Sequence, residues 1–447
     1  MALIRSKPIH ILVQDYKELI MAKLLAGFGR SDITPHLGFA LVGYGNRPGG
    51  ATGVHDRLSA KALVMETDDG CWALVSVEMC YLNINTVRDL RQIIEQRLGI
   101  PSAHVMVATT HTHAGPRDRE SGNWDRPLIE IIADAVVNAY EARQPARMGT
   151  GYSFLYGYAI NRRWLDRPVD PGIAILRVDD ANGNLLGVWS NFACHSVVLG
   201  ADNYQVSGDW PGYAMHKVEE TLGGTVTSLF TQGGAGDVNP LVAGVRERLR
   251  SGLPVQAIGN VSIYYGAADD PQRWNIGDRK GGTFAEVAEV GDAYAAELLH
   301  TIKTIKTSAA ISPCWAEQVI VNAAAESGEH PNRVKPPLMT DLADILDEHN
   351  IPAEVQILKL GDLILVGEPG EVFGETAWKL KEHLRALGYK TPALVSYANG
   401  WLAYLPEPGA FPEGGYEPHW AVSLNISKQF QPRVRTAIEP VLQNRAR

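Results

Sequence analysis

The 447 residues exceed one average domain but fit a single large α/β unit or two smaller ones. A hydrophobic fraction of 45% against 20% charged residues describes a globular chain that can bury a sizeable core. The net charge of -9, with no Lys/Arg-rich run, excludes the electrostatic footprint of a nucleic-acid binder and makes an anionic membrane surface a poor partner.

In chain order, residues 1–20 offer only the apolar patch Ile11-Leu12-Val13, followed at once by Asp15, Lys17 and Glu18. That is too short and too closely flanked by charge for a secretory core. No segment approaches the roughly 18 apolar residues of a membrane span. A cytoplasmic placement is expected, in keeping with Cys71, Cys80, Cys194 and Cys314, which lack CxxC spacing and read as free thiols. Met21 stands directly before the first convincing strand, so residues 1–21 are read as an N-terminal extension and 22–447 as one catalytic domain.

The Gly-rich loop 43–50 carries no GxGxxG or GxxxxGK pattern and is expected to line a cleft rather than hold phosphate. Strand patterns follow at 60–65 and 72–77, then helical spacing of Val87, Leu90, Ile93, Ile94 and Leu98, the apolar run 105–107, and a helix over 127–140. Strands at 172–178 and 186–192 are joined through Asn182-Gly183, a hairpin signal. A helix over 210–222 has Asp209 in an N-cap-like place and Pro211 at an early position. The short strand 227–230 opens into the Gly-rich stretch 231–240, expected to bring backbone NH groups close to a ligand. The last third predicts a helix over 284–304, a strand at 315–321, a helix over 340–349 and a hairpin over 354–366. A helix opened by Glu371, where the dipole favours a carboxylate, then runs to 387, and a strand follows at 393–397. With no repeat or linker to divide it, the chain is expected to be α/β, with mixed β-sheets flanked by helices in a single large domain.

The apolar run 105–107 leads into Thr110-His111-Thr112-His113-Ala114-Gly115-Pro116. Side chains two apart on an extended strand lie on one side, so His111 and His113 can share one ion, and neutral imidazole is the commonest protein ligand for zinc. Read alone, the pair is equally well a satisfied polar pair at a strand end. His195 is a third strand-end histidine, and Glu371 reads equally as a helix cap.

Several loops together resemble the catalytic domain of the neutral, non-lysosomal ceramidase family. The matching pieces are Gly27-x-Gly29-Arg30-x-Asp32-Ile33-Thr34, Thr110-His111-Thr112-His113-x-Gly115-Pro116, Asn161-Arg162, His195 with Asp209, Gly236-Asp237-Val238-x-Pro240, Pro369-Gly370-Glu371, and Tyr404 with Tyr416. The resemblance implies a neutral-ceramidase-like catalytic fold and one zinc ion, held by His111, His195, Glu371 and Tyr404. It also implies His113, Arg162 and Tyr416 on the substrate side. Where the family has serine in Gly-Asp-Val-Ser-Pro, this chain has Asn239, which keeps hydrogen bonding without the hydroxyl. The secreted members carry a signal peptide and a C-terminal immunoglobulin-like domain, neither of which is read here, so a membrane sphingolipid is not the expected substrate.

The chemistry fits zinc with one open position, which supplies a nucleophile at neutral pH and polarises a carbonyl. His113 would then move a proton and Arg162 hold a developing negative charge. The expectation is a zinc-dependent hydrolase cleaving an amide, ester or related bond in a small polar, carbohydrate-linked substrate, and not a true ceramidase. The alternative is a zinc lyase or isomerase acting on a sugar or sugar acid. A small-molecule substrate is the partner expected, with no nucleic acid and no membrane; an oligomer is compatible with the composition.

Overall fold

The apolar runs become strands buried on both faces, as strands enclosed between two layers must be. The computed structural model describes residues 24–446 except 45, 46, 48, 119–121, 165, 252–281, 335–346 and 348. Leu25–Asp32 (β1), Ser59–Thr67 (β2) and Gly70–Val77 (β3) are followed by helix Ile84–Leu98 (α1), strand Val105–Thr109 (β4) and helix Leu128–Glu141 (α2). The same order recurs in Gln144–Phe154 (β5), Gly172–Asp180 (β6), Leu185–Phe192 (β7), Asp209–Thr221 (α3), Thr227–Gln232 (β8) and Phe284–Thr301 (α4). It recurs again in Trp315–Asn322 (β9), Pro352–Leu360 (β10), Leu363–Gly367 (β11), Gly374–Ala386 (α5) and Thr391–Val395 (β12), closed by helices Tyr416–Ser423 (α6) and Phe430–Ala446 (α7).

In each unit the first three strands pair antiparallel, and the fourth returns after a helix to pair parallel with the third. Units one and two join through β1 and β5 into an eight-stranded sheet of order β8-β7-β6-β5-β1-β2-β3-β4. Unit three forms its own sheet, β9-β10-β11-β12.

The two-residue period sets the layers. On β2, Ala60, Ala62 and Val64 face the helices α1 and α2. Leu63 and Met65 on the same strand face a core shared with Leu358, Leu360, Leu363 and Leu365 of the smaller sheet. The sheets thus lie face to face, with helices outside both. Burying each such side chain stabilises by about 1.5–3 kcal/mol. On β1, a Cβ at Gly27 would lie 2.2 Å from the carbonyl oxygen of Ala139, and one at Gly29 would lie 2.3 Å from that of Ala135. These glycines let α2 rest directly on the strand, which explains the first matched motif as packing.

The α/β expectation holds, with three differences. The repeat unseen in the sequence is present in strand order, because such a unit demands apolar alternation and not particular residues. Strand β5 was not expected, since Pro145, Gly149 and Gly151 interrupt its pattern. The last difference concerns Glu371, which does not open a helix: Glu371–Val372 pairs in parallel with Tyr404–Leu405, and α5 begins at Gly374. Asp209 is the first residue of α3 behind Gly208, and its carboxylate accepts from the amides of Val198 and Leu199 at 3.2 and 3.0 Å. The helix expected over 340–349 falls largely outside the described residues, as does the 1–21 extension. Among the described residues no helix is long and apolar enough to cross a membrane.

Candidate metal centre

Each unit presents the carboxyl end of a parallel strand pair, β3/β4, β7/β8 or β11/β12, and ligands of α/β sheets bind outside such ends. His111 follows β4 by two residues, with φ of 64°, and its amide donates to the carbonyl of Met79 at 2.9 Å. His195 follows β7; its own amide donates to Val238 O at 3.0 Å, and the indole of Trp210 donates to its carbonyl at 2.9 Å. Glu371 follows β11, and the two-residue ladder sets it beside Tyr404.

The orientation of the two imidazoles decides what they can hold. His111 Nδ1 lies 2.7 Å from the carbonyl oxygen of Cys80, and His195 Nδ1 lies 2.6 Å from that of Ala235. A carbonyl only accepts, so each Nδ1 carries the proton and each Nε2 is left with a lone pair. The Nε2 atoms face each other at 3.2 Å, and Glu371 Oε2 lies 3.6 Å from the first and 3.3 Å from the second. Burial pushes both histidines down to about 3, His195 and Arg162 adding to the shift at His111 and Arg162 at His195. Neither ring therefore supplies a bridging proton at neutral pH. Two nitrogen lone pairs and a carboxylate oxygen converging on one point are a donor set that could hold a metal ion, of the kind zinc takes, and Nδ1–carbonyl bonds of this type orient metal-binding histidines.

Glu371 is held from three sides. Trp401 Nε1 donates to Oε1 at 3.2 Å, the Tyr397 hydroxyl donates to Oε2 at 3.4 Å, and Tyr404 also hydrogen-bonds the carboxylate. Burial raises its pKa, opposed by His111 and Arg162. Burial also raises the Tyr404 phenol well above its ordinary value despite Arg162, so Tyr404 stands in the cluster as a phenol.

The remaining expected residues surround this point. His113 Nε2 is 3.0 Å from His111 Nε2, closer than a purely outlying role would require, and its buried Nδ1 has no hydrogen-bond partner among the described residues. Gly43 makes room for the ring: a Cβ there would lie 2.3 Å from His113 Cγ. Gly43 and Tyr44 of the 43–50 loop thus line the cleft, with the Tyr44 ring edge-on to His113 at 4.8 Å. Arg162 is buried and fully engaged. Nε donates to Glu417 Oε1 at 2.6 Å, Nη1 to Asn239 Oδ1 at 3.2 Å and Nη2 to the Tyr404 hydroxyl at 3.0 Å. Asn239 reaches it because Val238–Pro240 pairs with Ala159–Asn161. Tyr416 is half-buried at the rim, its ring 5.5 Å from that of Tyr404.

One expectation is corrected. In the 231–240 loop the amides of Gly233 and Gly236 turn to the protein instead of to a ligand, donating to Phe192 O and Val372 O at 2.9 and 2.8 Å. It braces the loops of His195 and Glu371, and gives its Ala235 carbonyl to His195. Sequence reasoning missed Tyr397, Trp401 and Glu417. Tyr397 follows a strand end by two residues as His111 does, a signal that was available; Glu417, wholly buried at the start of α6, had none.

Residues 24–124 match the family model described as neutral/alkaline non-lysosomal ceramidase, N-terminal. Neutral ceramidase B of Dictyostelium discoideum is 28% identical over 288 residues, 56% of this chain and 39% of that protein. The neutral ceramidase of Mycobacterium tuberculosis is 26% identical over 261 residues, 49% of this chain and 41% of that protein. The chain thus spans well under half the length of these curated relatives. The crystal structure of neutral ceramidase from Pseudomonas aeruginosa superposes with a TM-score of 0.72 and 18% identity, covering 95% of this chain and 74% of that one, which establishes a shared fold.

Proposed function

The chain resembles neutral ceramidases in sequence and in fold, and on that footing we propose that it is a zinc-dependent hydrolase cleaving the amide bond of an N-acyl substrate. The observation that carries this reading is the convergence of His111 Nε2, His195 Nε2 and Glu371 Oε2 within 3.2–3.6 Å, with both Nδ1 atoms turned to carbonyls. His111, His195 and Glu371 would hold the ion, with Tyr404 as the adjoining fourth group. Zinc there would supply a nucleophile at neutral pH and polarise the scissile carbonyl.

The protein's own groups do the rest. His113, kept neutral by burial, can take a proton at Nε2 and return it to the leaving amine. Arg162, clamped by Glu417 and Asn239, presents a fixed positive charge beside Tyr404 for a developing oxyanion. Tyr416 at the rim is placed to contact the substrate.

The relatives are named for ceramide, and the expectation that ceramide is excluded draws no support from them. A small polar substrate is the second reading; it is carried by Asn239, whose carbonyl holds Arg162 where the resemblance expects a serine hydroxyl. The deciding assay incubates the purified protein with fluorescent ceramide and with polar N-acyl amides in heavy-oxygen water, with and without a chelator. Hydrolysis is expected to place one label in the acid product and to stop on chelation. An unlabelled product would establish elimination instead, and chelator-resistant turnover would remove the metal from the reading.

A further inference from the structure

Helices α5 and α7 enclose a cavity walled by Leu380, Val434 and Ile438, with Glu368 among its lining residues. Glu368 is 1% exposed, and Gln431 Nε2 donates to its Oε2 at 2.7 Å. The basic side chains that share the lining are already paired: His383 Nε2 with Glu439 at 2.7 Å, Arg435 with Glu407 at 2.6 Å and Lys379 with Glu375 at 2.6 Å. Among the described residues Glu368 has no ion-pair partner. Burial pushes its carboxyl up to about 7, Gln431 and Arg435 pulling the other way and Glu407 adding to the rise.

A carboxyl buried in a mainly apolar cavity with no ion-pair partner among the described residues is completed by a cation carrying an apolar body. We propose that this cavity binds small alkylammonium ions, the ammonium pairing with Glu368 and the alkyl chain lying against Leu380, Val434 and Ile438. Anions meet Glu368, and the lining cations Lys379 and Arg435 are already taken up by Glu375 and Glu407, so anions are disfavoured. Neutral alcohols keep the apolar contact but not the ion pair. None of these residues belongs to the metal cluster.

Calorimetric titration with n-butylamine hydrochloride, n-butanol and sodium butyrate tests this directly. Butylammonium should bind saturably at one site, butanol about tenfold or more weakly by comparison, and butyrate not at all, as expected for one charge-assisted hydrogen bond. Glu368→Gln should reduce butylammonium binding to the level of butanol. Ile438→Trp, which fills the cavity and keeps Glu368, should abolish both, with the thermal transition confirming that each variant folds. His195→Ala should leave butylammonium binding intact, separating the cavity from the metal cluster. No saturable butylammonium binding, equal binding of butanol, or undiminished binding in folded Ile438→Trp would each overturn the proposal.

Discussion

Units one and two of the large sheet have the same strand order and the same parallel closing pair, yet they arm different corners. In unit one the histidine follows the fourth strand, as His111 behind β4; in unit two it follows the third, as His195 behind β7. The corner behind β8 equivalent to that of His111 is the glycine-rich loop whose Gly233, Ala235 and Gly236 brace its neighbours. Unit three places Glu371 behind its third strand and Tyr397 behind its fourth. The repeated architecture therefore supplies equivalent openings at strand ends, and the loops choose which opening carries a donor. One donor from each unit meets at one point, so an ion held there would tie all three units together.

That account is broken most severely by removing a donor. His111→Ala or His195→Ala should lose zinc and reduce turnover to background, measured by elemental analysis beside the amide assay. Because the ion would join three units, chelation should also lower thermal stability. Linkage puts the effect at about 4 kcal/mol when free zinc is a thousandfold above its Kd. Full zinc in both variants would dispose of the site.

How much of this was readable beforehand follows from what each feature demands. The apolar runs of β2, β3, β6, β7, β10 and β11 are plain in the sequence, and the expected strands fall within the observed ones. His111 and His195 were legible as histidines at strand ends, but only the resemblance separated a metal ligand from a satisfied polar residue there. The pairing of Glu371 with Tyr404 was not, since a two-residue parallel ladder between positions 33 apart leaves no periodicity, and the resemblance alone joined them. Glu417 and Trp401 act through contacts that only the folded chain creates.

His113 is what unit one adds beyond a metal donor. Its replacement by Ala should keep zinc and lower turnover by about 10²- to 10⁴-fold, the usual cost of losing a general acid or base. The 3.0 Å approach to His111 Nε2 gives the experiment a second edge. If His113→Ala loses its zinc, unit one provides two donors, and Tyr404 leaves the set.

Arg162 lies in a loop of unit two but is oriented by Glu417 of unit three. Glu417→Gln removes the charge and keeps the shape, so Arg162 should stay buried but lose its orientation. A charge-assisted hydrogen bond of about 1.5–3 kcal/mol corresponds to roughly a 10- to 100-fold fall in kcat/KM, with zinc unchanged. A loss confined to thermal stability would assign the pair to the fold alone.

The smallest expected effect tests the equivalence of corners most closely. Tyr397 and His111 each stand two residues past a fourth strand with positive φ, 55° and 64°, and their rings stack at 4.0 Å. Left-handed backbone in a tyrosine or histidine is costly and persists where surrounding contacts fix it. Here the stack packs one corner against the other, while the Tyr397 hydroxyl reaches Glu371 Oε2 at the long distance of 3.4 Å. Tyr397→Phe keeps the stack and deletes only that bond. Zinc affinity, read by competition with a chromogenic chelator, should fall about two- to tenfold, the range for one hydrogen bond weakened by its length, and turnover should change no more than that. Tyr397→Ala removes the stack as well and should cost His111 its orientation, with zinc lost to nearly the degree seen in His111→Ala. Equal, large losses in both variants would make the hydroxyl itself a metal donor, and unit three would then arm two corners.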